Sequence, residues 1–161
     1  MTEYIHYQPR LHVVLHQPEI PYNTGSVGRT CVAVGAKLWL VRPLEFRVDD
    51  YYLRRAGLDY WEHLEWQVVD NWDELQATVA SDRKWFFTKT AKRSYLNAPY
   101  QPGDTMVFGS ESSGLPDSLL AEHPAESQLR IPTRAEVRSL NLSNAVAVAA
   151  YEALRQWTTQ P

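Results

Sequence analysis

Short runs rich in β-branched and aromatic residues alternate along the chain with segments of helical periodicity. Leu11 to His16 (LHVVLH) reads as a strand, and after a proline-rich loop Asn23 or Thr24 is placed to cap a helix that runs to Val34 and stops at Gly35. Lys37 to Val41, Glu65 to Val69, Lys84 to Thr88, Thr105 to Phe108 and Gln128 to Ile131 predict further strands. Among them lie a short helix over Asp49 to Arg55, a helix over Trp72 to Ala80 after the cap Asn71, and a short helix near Pro116 to Leu120. The last helix, Leu142 to about Gln156, sets Ala145, Val146, Ala149, Ala153 and Leu154 on one stripe that should be buried. This alternation predicts an α/β fold, a mainly parallel sheet sandwiched by helices. Residues 1–161 read as a single domain, with no repeat or long linker to divide them.

In parallel α/β sheets, ligands bind beyond the carboxyl ends of the strands, where loop backbone and helix N-termini offer unpaired polar groups. The loops that follow the predicted strands are PEIPYNTGSVGRT (Pro18 to Thr30), KTAKR (Lys89 to Arg93), GSESSGLP (Gly109 to Pro116) and PTRAEVRSLNLSNA (Pro132 to Ala145). Together they carry Asn23, Arg29, Glu111, Ser139, Asn141 and Asn144, so a site is expected at that rim. Read singly, the same residues suit ordinary duties: Ser139, Asn141 and Ser143 are good helix caps, and GSESSGLP is a good turn.

Composition narrows the partners. No apolar run approaches the roughly 20 residues of a membrane span, and the N-terminus has neither a signal core nor a transit pattern, so a cytoplasmic protein with no membrane partner is expected. Cys31 is the only cysteine. A net charge of −3 confines any nucleic-acid surface to local patches, with Arg54 and Arg55, the Lys89 to Arg93 stretch, and Arg130, Arg134 and Arg138 as candidates. GSESSG lacks the spacing and lysine of a phosphate-binding loop, and Glu111 stands where a nucleophilic serine would be needed. His12 and His16 lie on a strand pattern, and the other histidines are scattered, so no metal is expected.

Three motifs then stand in order: N-T-G-x-x-x-R-T at Asn23 to Thr30, F-G-x-E-x-x-G-L-P at Phe108 to Pro116, and I-P with R-S-L-N-L-S-N-A between Ile131 and Ala145. On these the chain resembles the trefoil-knotted (SPOUT) RNA methyltransferases over nearly all of Leu11 to Gln156. The segment LRRAGLDYW, Leu53 to Trp61, resembles the branch that forms 2′-O-methylcytidine and 2′-O-methyluridine at the tRNA wobble position. Departures from the family pattern are Tyr22 in place of proline, Ser112 and Ser113 where Thr-Arg is frequent, and an N-terminal extension over residues 1–10.

The resemblance implies a C-terminal deep trefoil knot, a homodimer with the first and last helices across its two-fold axis, and S-adenosylmethionine as methyl donor, leaving as S-adenosylhomocysteine. It implies a cofactor site at Phe87, Thr88, Gly109, Ile131, Ser139 and Leu140, with Arg29, Asn23, Glu111 and Asn141 as catalytic residues. Arg54, Arg55, Lys89, Arg138 and Tyr151 are the expected contacts to the tRNA anticodon stem-loop. Rival readings are 2′-O-methylation of another tRNA position or of ribosomal RNA, a non-catalytic RNA-binding module, and a small-molecule Rossmann-type enzyme, which lacks its glycine pattern after the first strand.

Overall fold

The structure is a computed structural model that describes residues 7–49, 55, 60–79 and 81–158. Its strands are β1 (His12–His16), β2 (Lys37–Val41), β3 (Trp66–Val69), β4 (Lys84–Phe87), β5 (Arg93–Ser94), β6 (Thr105–Phe108) and β7 (Gln128–Arg130). They form a seven-stranded sheet in the order β3-β2-β1-β6-β4-β7-β5, and every pairing is parallel. The α-helices that lie wholly among the described residues are α1 (Pro21–Val34), α2 (Trp72–Thr78), α3 (Asp117–Leu120) and α4 (Leu142–Thr158).

Central strands buried on both faces require continuous apolar runs, and β1 has one: Val13, Val14 and Leu15 are fully buried. Alternation sends these residues to opposite cores. Val13 and Leu15 pack with Val27, Cys31 and Val34 of α1 and with Val146, Ala149 and Ala153 of α4. Val14 joins Leu75 of α2 and Leu119 and Leu120 of α3 on the other face. The small residues of the α4 stripe let this helix lie close to α1 over one layer of the sheet.

Several elements differ from the sequence reading. The expected Asn23 or Thr24 cap is replaced, because α1 starts at Pro21 with Ile20 in the capping position and no side-chain cap. Proline at the first helical position has φ already set and no N–H to satisfy. The far end behaves as read: Gly35 takes a left-handed φ of 74° and closes the helix. KTAKR is not wholly loop, since Arg93 opens β5 and its guanidinium donates to the carbonyls of Glu126 and Asn97. The helix expected over Asp49 to Arg55 falls almost entirely outside the described residues. The part of the N-terminal extension that is described is tied down: Tyr7 donates to the Val34 carbonyl and packs at 4.7 Å, tilted by 58°, against Trp157, while Arg10 donates to the Gly35 carbonyl.

Histidines in the sheet layers couple the fold to pH. His16 is buried edge-on to Trp72, and His123 stacks on Phe86 at 4.2 Å and meets Trp72 edge-on. Burial pushes both imidazoles below their ordinary 6.5, with Lys84 reinforcing the effect at His123 and Glu122 opposing it. The unfolded chain therefore takes up protons near its ordinary histidine pKa while the folded chain still excludes them. Stability is fully present above that value and is lost as pH falls through the depressed folded pKa. A calorimetric pH series should give a melting midpoint that is level above about pH 7 and declines as pH falls below about 6.5. A flat midpoint through that fall would mean that neither imidazole is held neutral by the fold.

Candidate active site

The loops after β4, β6 and β7 converge with the segment before α1 on a cavity of about 660 Å³ at the carboxyl end of the sheet. Parallel strands all deliver their following loops to the same edge, so residues far apart in sequence meet there. Phe87, Thr88, Gly109, Ile131, Ser139 and Leu140 all line this cavity. Phe87 and Phe108, the last residues of β4 and β6, stack at 4.6 Å with their planes 12° apart and present an aromatic floor. Lys89, Arg130 and Arg138 line the same cavity, giving an acidic protein a local basic rim.

The β6 loop is built around two glycines. A Cβ on Gly109 would lie 2.0 Å from the Gly114 carbonyl carbon and 2.2 Å from the Leu115 nitrogen, so only glycine permits this approach of backbone to backbone. Gly114 has φ +67°, and its N–H donates to the Ser110 carbonyl at 2.9 Å. The turn thus closed aims Glu111 at the start of α1, where its carboxylate accepts from the N–H groups of Glu19 (3.0 Å) and Ile20 (2.5 Å). Glu111 supplies the acceptor that the capping side chain does not, beside the positive end of a helix. The Ser112 hydroxyl also donates to Glu19 and holds that carboxyl below its ordinary range, so the loop with serines at 112 and 113 is pinned to the β1–α1 connection.

A chain of side-chain amides joins the three motifs. Asn23 Nδ2 donates to Glu111 at 3.4 Å, and Asn141 Nδ2 donates to Asn23 Oδ1 at 3.1 Å. Asn141 Oδ1 in turn accepts from the N–H groups of Ser143 and Asn144, at 2.9 and 3.3 Å, and caps α4. Asn23 is nearly fully buried, with 6% exposure, so an unpaired amide there would be costly. These three residues orient loops, as their hydrogen bonds require.

Arg29 stands apart. It is exposed on α1 and lines a second cleft, of about 500 Å³, with Tyr22, Ser26, Asn144 and others. The two clefts share Asn23 and Asn141. Among the described residues no hydrogen bond or ion pair joins Arg29 to Glu111 or Asn141; its guanidinium lies over the Tyr60 ring, 4.6 Å from the centroid. Tyr60 was not singled out from sequence, although it sits within LRRAGLDYW. Tyr151 is half exposed on α4, away from both clefts, and Arg55 is exposed. Arg54 lies outside the described residues.

Comparison with known proteins agrees with this architecture. The model of the SpoU rRNA Methylase family matches residues 10–151. The chain is 48% identical to the tRNA (cytidine(34)-2′-O)-methyltransferase of Burkholderia ambifaria, over 89% of this chain and 94% of that protein. It is 44% identical to the enzyme of the same description from Methylovorus glucosotrophus, with the same coverage of both. A solved structure concerned with the 2-OH methylation of C/U34 on tRNA superposes with a TM-score of 0.88 at 45% identity, covering 94% of this chain and 98% of that one.

Proposed function

The chain belongs to the SpoU rRNA methylase family, and from that premise we propose that it transfers a methyl group from S-adenosylmethionine to the ribose 2′-hydroxyl of the wobble nucleotide, cytidine or uridine 34, of tRNA. Relatives of 44 to 48% identity that bear the name tRNA (cytidine(34)-2′-O)-methyltransferase support this substrate over ribosomal RNA. The observation in the molecule that carries the reading is the hydrogen-bonded chain from Glu111 through Asn23 to Asn141, which ties the three motif loops around one cavity.

The cavity suits the cofactor. Its volume of about 660 Å³ lies within the range of small-ligand sites. The Phe87–Phe108 floor offers an apolar surface for a purine, and the exposed backbone of the loops after β6 and β7 offers polar groups to a nucleoside. Phe87, Thr88, Gly109, Ile131, Ser139 and Leu140 are the residues that would hold it. When bound, S-adenosylmethionine would supply an electrophilic sulfonium methyl, which passes to the ribose oxygen as the sulfur–methyl bond breaks and S-adenosylhomocysteine leaves.

The protein's part is positioning and charge. Correct orientation of reactants recovers on the order of 7–11 kcal/mol of a barrier. Arg29 holds the phosphate beside the reacting nucleotide and stabilises the alkoxide that develops on the 2′-oxygen. A guanidinium does not serve as the base, since its pKa exceeds about 12, so the proton leaves to phosphate or water. Asn23, Glu111 and Asn141 keep the loops in place around the reacting groups.

A homodimer belongs to this reading. Ile20, Tyr22, Val148 and Tyr151 are exposed apolar or aromatic residues at or near α1 and α4, a face suited to a second copy. Arg29 lines the cleft beside this face rather than its own chain's cofactor cavity, which suits service to the partner's cavity. The trefoil knot of the family, threading the segment around α4, is part of the same reading, as are recognition of the anticodon stem-loop by Lys89, Arg138, Arg54, Arg55 and Tyr151 and a cytoplasmic location. No helix among the described residues is long and apolar enough to cross a membrane.

The test is incubation of the purified protein with S-adenosylmethionine and total tRNA from a host lacking this activity, followed by mass spectrometry of anticodon fragments. New 2′-O-methylcytidine or 2′-O-methyluridine at position 34 is expected. Methylation at another tRNA position, or of ribosomal RNA only, would replace the target while keeping the chemistry.

A further inference from the structure

We propose that Tyr60 is the positioning residue for Arg29, holding its guanidinium in one orientation before RNA arrives. The inference rests on the reading of Arg29 as the group beside the reacting hydroxyl. Arg29 projects from an exposed helix face, where its side chain would otherwise sample many rotamers. Ordering it during the reaction would cost binding energy that a preorganised group does not require. Among the described residues no carboxylate pairs with Arg29. Its guanidinium carbon lies 4.6 Å from the Tyr60 ring centroid, within the range of a cation–π contact, and Nη2 lies 3.4 Å from the Tyr60 hydroxyl. A guanidinium held over a ring keeps its full charge and, with one Nη2 N–H engaged by the Tyr60 hydroxyl, leaves its other N–H groups available, where a carboxylate partner would have paired them and offset the charge.

The placement of Tyr60 is set by the residue next to Arg29. Gly28 leaves room for the 3₁₀ turn Trp61–His63 to dock on α1: a Cβ there would sit 3.0 Å from Leu64 Cδ2 and 3.1 Å from Trp61 Cζ3. Trp61 is held from behind by Trp66, with ring centroids 5.1 Å apart, and His63 N–H donates to the Tyr60 carbonyl at 2.9 Å. The turn that packs on Gly28 therefore delivers the ring that covers Arg29. Tyr60 and Trp61, the last two residues of LRRAGLDYW, thus act with the R of N-T-G-x-x-x-R-T as one device.

Steady-state kinetics on tRNA with Tyr60→Phe, Tyr60→Leu, Arg29→Lys and the Arg29→Lys/Tyr60→Leu double variant test this, beside calorimetric cofactor titration and melting midpoints. Tyr60→Leu should lower kcat about 2- to 5-fold, the scale of one exposed cation–π contact, with a smaller change in the KM for tRNA and native cofactor affinity and melting. Tyr60→Phe, which keeps the ring, should retain most of the rate. In the Arg29→Lys background the leucine substitution should cost less, because a compact, freely rotating ammonium has no fork orientation for the ring to fix. Native kcat in Tyr60→Leu or an undiminished loss in the Arg29→Lys background would overturn the positioning role, and a phenylalanine variant as impaired as leucine would overturn the ring as the group that holds Arg29. Arg29→Ala distinguishes the two levels: if it is inactive while Tyr60→Leu is native, only this inference fails, and if it methylates at the native rate the reading of Arg29 fails with it.

Discussion

Replacing Arg29 by alanine is expected to cut kcat for tRNA methylation by on the order of 10²–10³-fold, the loss typical of removing one charged or dipolar group aimed at developing negative charge. Cofactor affinity should stay native. Arg29 does not line the cavity framed by Phe87, Gly109 and Ile131, and no hydrogen bond links it to the Glu111–Asn23–Asn141 chain. Loss of the stack on Tyr60 removes only an exposed contact, worth about 0.5–1 kcal/mol, so the fold should tolerate the change. Calorimetric titration with S-adenosylmethionine and single-turnover methylation of tRNA separate the two quantities. An alanine variant that no longer binds cofactor would make Arg29 a structural residue and leave the alkoxide without its stabilising charge.

Gly109→Val should abolish cofactor binding and lower stability by about 1–3 kcal/mol, the range for forcing extra atoms into a packed site. The clash is with backbone, at 2.0 Å from Gly114 and 2.2 Å from Leu115, so no rotamer relieves it. The turn from Ser110 to Gly114 must open. Glu111 then moves off the N–H groups of Glu19 and Ile20, and the anchor of Asn23 goes with it. The cofactor is thus excluded by loss of the loop that rims the cavity, since the added side chain points at backbone rather than into the ligand space. Native affinity in this variant would remove the 109–114 loop from the site.

The convergence of the site was legible because it follows from a topological rule. Once the strands were read as parallel, the loops after Phe87, Phe108 and Arg130 had to share one rim, and the six residues named for the cofactor do line one cavity. The partners within the site were not legible. Asn23 read as a helix cap, yet Pro21 starts the helix and leaves the Asn23 amide to bridge residues 88 and 118 positions away. Glu111 read as one polar residue in a turn, while its acceptors' partners lie on the β1–α1 connection. Tyr60 served only to mark a branch of the family, because stacking on Arg29 depends on a turn docking at Gly28 and leaves no trace in spacing.

The elements themselves are determined locally, and local pattern was enough for them. Val13 to Leu15 can only be a strand buried on both faces, Gly35 can only end a helix with φ at 74°, and Asn71 caps α2 through the Glu74 N–H. Two-residue β5 escaped detection because Arg93 and Ser94 have no apolar alternation; their place at the sheet edge is set by pairing with Leu129 and Arg130. The order β3-β2-β1-β6-β4-β7-β5 is likewise a property of the assembled chain. Periodicity and capping record energies between residues a few positions apart, so the sequence by itself determined which segments become strands and helices and at which end of the sheet the ligand belongs. Which strands are neighbours, which amide answers which carboxylate and which ring covers Arg29 are set by contacts across dozens of residues, whose energies exist only once the sheet has closed, and the tertiary structure alone decided them.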